Sequence, residues 1–368
     1  MKKSVLFIFA VLALTACDRK NSYTLNGEIG SSTLDGKQVS VYSINDDPSS
    51  MALDSAIIEN GSFKLHGNVD SAGWYILMIK DVYGSQPIMK DFYTEGKLDV
   101  ALSGNQLRIT GGPVNDVFQN FEDEYTKLAI NVAKMNEKLQ ADPENAELKK
   151  SFEVAYKNFE TEVRAIAIKT VKENIGNPAG IHILQGTISL MNEAEIESIL
   201  KLGDEKFLQD PFVKTIASQL VMSKKVEIGQ PFVDLALFSP QGDTVTLSNY
   251  VGTGKYVLID FWASWCGPCI RELPNLLECY KAYHDKGFDI VGVSLDEKSE
   301  DWKNAISKHK LPWPQLSDLA GWNSIAVSTY SFSAIPHTVL VDPSGIIIEK
   351  DLRGNALKEK LETLFSDK

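Results

Sequence analysis

The chain has little cysteine, no long apolar run beyond its first residues, and too little positive charge to balance its acids. It contains 4 cysteines in 368 residues, and a protein that depended on disulfide staples would carry more pairs, so these cysteines suit chemistry better than stability. No later apolar run is long enough to cross a membrane. Because 37 basic residues face 49 acidic ones, a net charge of −12, nucleic acid is not expected as a partner.

The first residues, MKKSVLFIFAVLALTAC, have the features of an export signal. Two lysines precede an apolar run that is too short to span a bilayer. The run ends in LTAC, which resembles the lipobox at which a signal peptidase cuts before a lipid-modified cysteine. We predict a signal peptide over 1–16 and a lipidated tether over 17–22, with Cys17 anchoring the protein in the cell envelope, facing the periplasm or the exterior. The alternative is an ordinary secretory signal in which Cys17 is incidental.

Residues 23–112 alternate apolar and polar side chains in short runs such as YTLNGEI, KQVSVYSI and SFKLHGNV. Turn-forming stretches, among them LDGK and ENGS, separate these runs. A period of two with frequent turns is typical of antiparallel strands. The pattern predicts an N-terminal antiparallel β sandwich or barrel, and no cluster of His, Cys or paired acids within it indicates a site.

Residues 113–225 change to a period of 3.6, which predicts a helical middle region. Two long amphipathic stretches, beginning NDVFQNF and ENAELKK, are separated by DPEN, which supplies a turn and a helix start. Helices joined by so short a loop are expected to form an antiparallel hairpin.

Residues 226–368 alternate strand and helix patterns, which predicts an α/β layered domain. The apolar runs YVLIDFWA and FDIVGVSL read as strands buried on both faces. Helical patterns follow each of them, HTVLVD and IIIEK form a strand pair around a PSG turn, and LKEKLETLF closes the chain.

The stretch LIDFWASWCGPCIRELP contains Cys266 and Cys269, two residues apart and flanked by tryptophans. It resembles thioredoxin, and the layout around it is similar to that of the TlpA/ResA type of membrane-anchored thiol-disulfide oxidoreductases, with an extra hairpin before WCxPC and RELP after it. The resemblance covers 226–368, and the upstream regions resemble the N-terminal part of some lipoprotein members much more weakly. It implies a thioredoxin-like fold and a redox-active disulfide between the two cysteines, with no other cofactor.

The residue types in this stretch also support redox chemistry by themselves. A thiolate attacks in disulfide exchange, so a working cysteine needs a low pKa. Cys266 is predicted where a strand ends and a helix begins, and there free N–H groups and the helix dipole favour negative charge. Gly267 and Pro268 allow a tight helix entry, with Cys269 in the same first turn. We predict Cys266 as the nucleophile and Cys269 as the resolving cysteine.

The cysteine pair has two other possible interpretations, a zinc site and a structural disulfide. A zinc site needs about four ligands, whereas Cys279 is unpaired and no histidine lies close in sequence. A structural disulfide across so short a loop would constrain little of the unfolded chain. Both are less favoured than a redox couple, and Cys279 is expected to be a partly buried helix residue.

Two acidic residues are candidate catalytic residues beside the cysteines. Asp260 ends the run YVLID and is predicted to be buried beneath the disulfide, where burial raises a carboxyl pKa and suits it to accept the proton of Cys269; the alternative is an exposed strand-end residue. Thioredoxin places a lysine beside this acid from the next strand, but IVGVSL has none. Glu272 follows Cys269 by three on the same helical face, where the ResA type has a glutamate; alternatively it is a solvated residue.

Pro336, in AIPHTVL, matches the family's cis-proline, which faces the disulfide. The resemblance implies that Ile335 offers its backbone to a substrate strand by β-pairing, with Trp265, Gly267 and Pro268 lining the same binding site. The alternative is an ordinary trans turn.

Four other tryptophans and one histidine are expected either near the site or in the core. Trp262 is expected to frame the site together with Trp265, whereas Trp302, Trp313 and Trp322 are expected in the core or as cover. His337 replaces a small polar residue of the family, and it either contacts the site or is structural.

The expected activity is reduction of disulfides in exported proteins, because CGPC is thioredoxin's own couple and thioredoxin is strongly reducing. Expected partners are disulfide-bonded envelope proteins and an inner-membrane electron donor, since the sequence has no GxGxxG motif for a flavin or nicotinamide. Isomerase or oxidase action is the alternative within the same chemistry. From another class, the chain could be a lipid-anchored binding module in which redox activity is secondary.

Overall fold

The computed structural model describes residues 22–30, 32–44, 51–80, 86–104 and 106–366. Cys17 and the predicted signal peptide lie outside the described residues. The chain divides into two compact units, Met1–Leu208 and Gln209–Lys368, and each is described by itself. Within the described part of the chain, none of the helices combines the length and the apolar character that a membrane span requires.

The described part of the first unit begins with two four-stranded sheets, ordered β4-β1-β7-β8 and β3-β2-β5-β6. The strands are β1 Ser22–Glu28, β2 Gln38–Ser43, β3 Asp54–Ile57, β4 Ser62–Asn68, β5 Trp74–Ile79, β6 Ile88–Tyr93, β7 Lys97–Ser103 and β8 Gln106–Thr110. The predicted antiparallel sandwich is confirmed, with one addition: β1 and β7 pair in parallel. The chain passes through the other sheet between β4 and β7, and it returns in the direction of β1.

The alternation of the strands explains why the two sheets face each other. Tyr23 and Leu25 on β1 are buried, and the residues between them are only half-buried. Their buried side chains join those of the second sheet, such as Val39 and Val41, in one apolar cluster. Tyr23 meets Phe92 edge to face, with ring centroids 5.6 Å apart, so the cluster is closed by an aromatic pair between the sheets.

The predicted helical region follows the sandwich. Its helices are α1 Pro113–Ala141, α2 Ala146–Glu173, α3 Pro178–Thr187, α4 Glu193–Leu200 and α5 Glu205–Gln209, with a 3₁₀ helix at Ile188–Leu190. A further 3₁₀ helix, Ser32–Leu34, lies between β1 and β2 of the sandwich. The first two helices form the expected hairpin, joined by a short loop that ends at Asn145. The side chain of Asn145 caps α2 by accepting the N–H groups of Glu147 and Leu148.

The second unit is built on a seven-stranded sheet ordered β10-β9-β13-β12-β11-β14-β15. Its strands are β9 Ala236–Phe238, β10 Thr244–Thr246, β11 Tyr256–Trp262, β12 Phe288–Ser294, β13 Gln315–Ser317, β14 His337–Val341 and β15 Ile347–Lys350. Its helices are α6 Pro211–Lys225, α7 Gly267–Tyr283, α8 Ser299–His309, α9 Ile325–Tyr330 and α10 Gly354–Phe365, with 3₁₀ helices at Leu247–Asn249, His284–Lys286 and Gly321–Asn323. The thioredoxin-like α/β arrangement predicted for this part is confirmed.

Strand β11 lies at the centre of this sheet and carries the chain to the site. It runs parallel to β12 and antiparallel to β14, and every residue after Tyr256 in it is buried. The apolar run YVLIDFW therefore reflects burial on both faces. The end of β11, the start of α7 and the start of β14 meet at one edge of the sheet.

Candidate active site

The turn between β11 and α7 is held by a buried carboxylate that the sequence analysis did not single out. Asp296, just after β12, accepts the backbone N–H of Ser264 at 3.0 Å and the hydroxyl groups of Ser264 and Ser294. These bonds fix the backbone immediately before Trp265 and Cys266. The clue in the sequence was an acid directly after the buried strand FDIVGVSL, at the same sheet edge as the cysteines.

Cys266 and Cys269 form a disulfide across the first turn of α7, with their Cα atoms 5.3 Å apart. Cys266 is the N-cap residue, and its Sγ lies 3.2 Å from the backbone nitrogen of Cys269, whose N–H points at it. Gly267 and Pro268 are the first two helical residues, where a proline costs no hydrogen bond. The helix N-terminus therefore stabilises negative charge on the Cys266 sulfur when the pair is reduced.

The opposite wall of the site is the loop before β14. The Ile335-Pro336 peptide bond is cis, as the resemblance implies. The carbonyl oxygen of Ile335 lies 3.7 Å from Sγ of Cys266, so the backbone of this loop borders the disulfide directly. Ile335 is only half-buried, so part of this residue is accessible to solvent.

Trp265, the residue before Cys266, and Trp322 are exposed aromatic side chains close to each other. Trp265 is 54% exposed and Trp322 is 45% exposed, with ring centroids 6.4 Å apart. Trp262 does not frame the site, contrary to the expectation: it is buried, and its indole N–H donates to Oε1 of Gln315 at 3.0 Å. The reason is that Trp262 still belongs to β11, which is buried on both faces, whereas Trp265 lies beyond the end of this strand.

Asp260 is buried in β11, as predicted, with 3% of its surface exposed. Its pKa is raised to about 7: burial is the largest cause, the Glu272 carboxylate adds to the rise, and the Arg353 guanidinium partly opposes both. Its neighbours in register on the flanking strands are Gly292 and Thr338, neither of which carries a charge. A carboxyl group with this pKa can exchange a proton near neutral pH.

Glu272 lies near Asp260 but makes no hydrogen bond to a cysteine. Its Oε1 accepts Nδ2–H of Asn275 at 2.7 Å and the backbone N–H of Gly354 at 2.7 Å. The carboxylate is thereby held toward the start of α10, from which it acts on Asp260 through its charge. The structure thus brings Glu272 into the site's electrostatics rather than into contact with the sulfurs.

The segment after β15 contributes residues that the sequence analysis missed. Arg353 donates a hydrogen bond to the carbonyl oxygen of Pro336. Asp351 Oδ1 lies 2.7 Å from Nδ1 of His337, and the pair is bonded. The only signal in the sequence was the short polar string DLRG following the last strand pattern.

His337 is enclosed beside the cis-proline loop rather than exposed to substrate. Its ring stacks on Phe332 and Phe261, with centroids 4.9 and 5.6 Å away. Burial lowers its pKa, an effect that the neighbouring Asp351 carboxylate opposes. Its Nε2 is buried without a partner among the described residues, which favours the structural interpretation of this histidine.

Cys279 is buried and unpaired in the structure, on the core-facing side of α7. Burial raises the pKa of its thiol to about 11, so it is protonated near neutral pH. In the described part of the chain, no group of three or more His, Cys, Asp or Glu side chains is arranged to hold a metal ion.

Comparison with protein families assigns residues 228–350 to the AhpC/TSA family and residues 23–118 to DUF4369, a domain of unknown function. The thiol-disulfide oxidoreductase ResA of Bacillus thuringiensis subsp. konkukian is 31% identical over 139 residues, which cover 38% of this chain and 77% of the relative. This similarity is confined to less than half of the chain.

Two solved structures are also similar in sequence to part of this chain. The thioredoxin domain of a thiol-disulfide oxidoreductase from Bacteroides vulgatus is 38% identical, covers 38% of this chain and 98% of its own, and has a TM-score of 0.35. A thiol:disulfide interchange protein from Bacteroides sp. is 37% identical, with coverages of 39% and 92% and a TM-score of 0.35.

Proposed function

Because the chain belongs to the ResA-type family of thiol-disulfide oxidoreductases, we propose that Cys266 and Cys269 are its redox couple and that it reduces disulfides of exported proteins. The observation that carries the proposal is the placement of the pair. The disulfide spans the first turn of α7, and Sγ of Cys266 lies 3.7 Å from the cis-proline loop. One sulfur is therefore stabilised as a thiolate at the point where an extended backbone can approach.

The reaction transfers two electrons from the reduced pair to a substrate disulfide. The Cys266 thiolate attacks one substrate sulfur, the substrate S–S bond breaks, and a mixed disulfide forms while the other substrate sulfur takes a proton. Cys269 loses its proton and attacks Sγ of Cys266. The mixed disulfide breaks, the second substrate thiol leaves, and the Cys266–Cys269 bond is restored.

Asp260 is the acceptor for the proton that Cys269 loses. Its carboxyl group is buried, with a pKa of about 7, and so it exists in both protonation states at the pH where the reaction runs. Cys269 is also buried, with 2% of its surface exposed. A proton acceptor inside the protein is therefore needed for the resolving step.

Substrate binding is assigned to the backbone of Ile335 beside Pro336 and to the surface around Trp265, Gly267 and Pro268. An extended substrate segment pairs with the backbone before β14, which carries no side-chain requirement and so tolerates many sequences. The exposed ring of Trp265 supplies apolar contact next to the attacking sulfur.

The direction proposed is reduction, with electrons supplied from a donor in the inner membrane. The CGPC couple is that of thioredoxin, whose potential is about −270 mV, well below that of an oxidant such as DsbA. The lipobox-like LTAC at Cys17 supports attachment by a lipid to the cell envelope. Isomerase action would use the same residues without net electron transfer, and oxidase action would use them with an electron acceptor in place of the donor.

A mixed-disulfide trap tests the function. In Cys269→Ser the first attack can occur but the resolving step cannot, so envelope proteins that carry disulfides should remain attached to Cys266 and be released by dithiothreitol. Cys266→Ala should capture none, and it should abolish reduction of a disulfide-bonded probe protein. If Cys266→Ala retains the biological activity of the wild type, the chain acts as a binding module and the proposal is wrong.

A further inference from the structure

The segment 351–354, DLRG, connects β15 to α10 and includes Gly354, the first residue of α10; we call it the clasp. The clasp makes several hydrogen bonds to the cis-proline loop and to the start of β14. The Asp351 N–H donates to the Thr338 carbonyl at 2.8 Å, and the Thr338 hydroxyl donates to the Leu352 carbonyl at 3.1 Å. Arg353 donates to the Pro336 carbonyl oxygen, while its Nη2 lies 3.6 Å from Asp351 Oδ1. One wall of the site is thereby attached to the clasp.

The other end of the clasp is attached to α7, which carries the cysteines. The Gly354 N–H donates to Glu272 Oε1 at 2.7 Å, and Asn275 Nδ2 donates to the Gly354 carbonyl at 3.3 Å. Asp351 and Gly354 both have left-handed backbone angles, φ 57° and 51°, which let so short a segment turn from one wall to the other. The four residues thus connect both sides of the disulfide.

Two charged side chains face Asp260 from the elements packed against it. Thr338, the register partner of Asp260 on β14, accepts the Asp351 N–H of the clasp, and the Gly354 N–H of the clasp donates to Glu272 on α7. The Glu272 charge raises the pKa of Asp260 and the Arg353 charge lowers it. The strands on either side present Gly292 and Thr338, so they add no charge. Arg353 is the one described cation known to act on this carboxyl group.

We propose that Arg353 is a positioning residue that keeps Asp260 able to accept the proton of Cys269, taking the part that a lysine on the neighbouring strand plays in thioredoxin. The inference rests on the proposed redox function of the cysteine pair. Arg353 touches neither sulfur, and it acts through Asp260 and through the Pro336 carbonyl.

The physical argument is a balance of charges around one buried carboxyl group. With the guanidinium present, the Asp260 carboxylate has a cation that offsets burial and the Glu272 charge. Without it, the carboxylate would face Glu272 alone, its pKa would rise, and less of it would be ionised at pH 7. The Arg353 side chain is 46% exposed, so solvent screens part of its effect. We expect an upward shift of about half to one pH unit in the resolving step.

Ellman's reagent separates the two steps on the full-length reduced protein. Attack by Cys266 releases one thionitrobenzoate and leaves the second as a mixed disulfide. Attack by Cys269 then releases the second thionitrobenzoate and restores the disulfide. Because this leaving group needs no proton, the pH dependence of the second phase reports the deprotonation of Cys269 and its acceptor.

Four variants test the role of Arg353. In Arg353→Gln the second phase should slow about two- to sixfold at pH 7, with its midpoint shifted upward and the first phase changed less. Arg353→Met, which keeps the apolar stem, is a second neutral variant in case the first folds poorly. Arg353→Lys should restore most of the wild-type pH profile. Arg164→Gln, which makes the same charge change on α2, should match the wild type.

The deciding measurement adds Arg353→Gln to Asp260→Asn. If Arg353 acts through Asp260, the second substitution should cost little once the first is present. Full additivity, or a wild-type pH profile in both neutral variants, would overturn the inference. Failure of the wild type to release the second thionitrobenzoate with formation of the Cys266–Cys269 disulfide would instead refute the proposed function, so the two failures are distinguishable.

Discussion

Cys266 and Cys279 belong to one helix, α7, but they occupy opposite chemical environments: Cys266 caps the first turn, whereas Cys279 lies on the buried face near the other end. The helix dipole stabilises a thiolate only at the N-terminal end, and burial raises the pKa of Cys279 to about 11. We therefore expect a reactive thiol at Cys266 and an inert one at Cys279.

This contrast predicts selective alkylation. In the reduced protein at pH 7, iodoacetamide should modify Cys266 much faster than Cys279, because only the thiolate is nucleophilic. Mass spectrometry of peptides after timed quenching measures both rates, and Cys279→Ser serves as the control that assigns the signal. Equal rates, or protection of Cys266 that a zinc chelator removes, would contradict the redox assignment.

Replacement of the buried acid should act on one step of the reaction. Asp260→Asn should slow release of substrate from the mixed disulfide on the order of a hundredfold, because the proton of Cys269 loses its acceptor. Formation of the mixed disulfide should change less, since the helix N-terminus already stabilises the Cys266 thiolate. Stopped-flow measurement of both steps checks this, and equal slowing of the two would mean that Asp260 has a structural role.

The raised pKa of Asp260 also predicts how stability depends on pH. Its folded pKa, about 7, is above its ordinary value of 3.8, so the folded state binds the proton more tightly than the unfolded state does. Its contribution to stability is full below about pH 4 and is lost as the pH rises through 7. Asp260→Asn should therefore gain stability relative to the wild type by up to about 4 kcal/mol at pH 8, and by little at pH 4. Denaturant unfolding of the oxidised proteins at both pH values measures the difference, and a pH-independent difference would contradict the shift.

The direction of electron flow is a separate prediction. The couple should equilibrate with glutathione at a potential within about 60 mV of the thioredoxin value of about −270 mV. Trp265, exposed beside the disulfide, is a natural fluorescence reporter, and Trp265→Phe is the control for its signal. A potential near −120 mV would make the protein an oxidant and leave the site assignment intact.

The predicted lipid attachment would be made at Cys17, which lies outside the described part of the chain. If LTAC is a lipobox, Cys17→Ser should move the protein from the membrane fraction to the soluble fraction without changing the redox activity of the second unit. Fractionation with immunoblotting checks this. A Cys17→Ser protein that still sediments with membranes would show that the lipoprotein prediction is wrong.

The elements that the sequence predicted well are those specified by neighbouring residues. The run YVLIDFW, followed by WCGPC, specifies a buried strand and a capped helix start within a dozen or so residues. The burial of Asp260 follows from the same run. By contrast, alternation in strands 23–112 carries no information on strand direction, which is why the parallel pairing of β1 with β7 was not foreseen.

The charge balance around Asp260 could not be foreseen for a different reason. Arg353 is far from Asp260 along the chain, and it reaches the site because β14 lies beside β11 and β15 beside β14. The string DLRG has no periodicity and matches no motif with a known mechanism. Only the sheet order and the left-handed turn at Asp351 bring it to the cis-proline loop.

Gly292 lies opposite Asp260 on β12, and the space that a side chain there would fill is taken by the carboxamide of Gln315. A Cβ on Gly292 would lie 2.7 Å from Cδ of Gln315, closer than real atoms approach. Gln315 cannot simply withdraw, because its Oε1 accepts the indole N–H of the buried Trp262. A descendant of this sequence could therefore acquire a lysine on β12 only through an intermediate with a disrupted core. Substitutions that alter proton transfer at Asp260 are therefore expected at 351–354 rather than on β12, because a change of charge in that segment leaves the packing of the sheet intact.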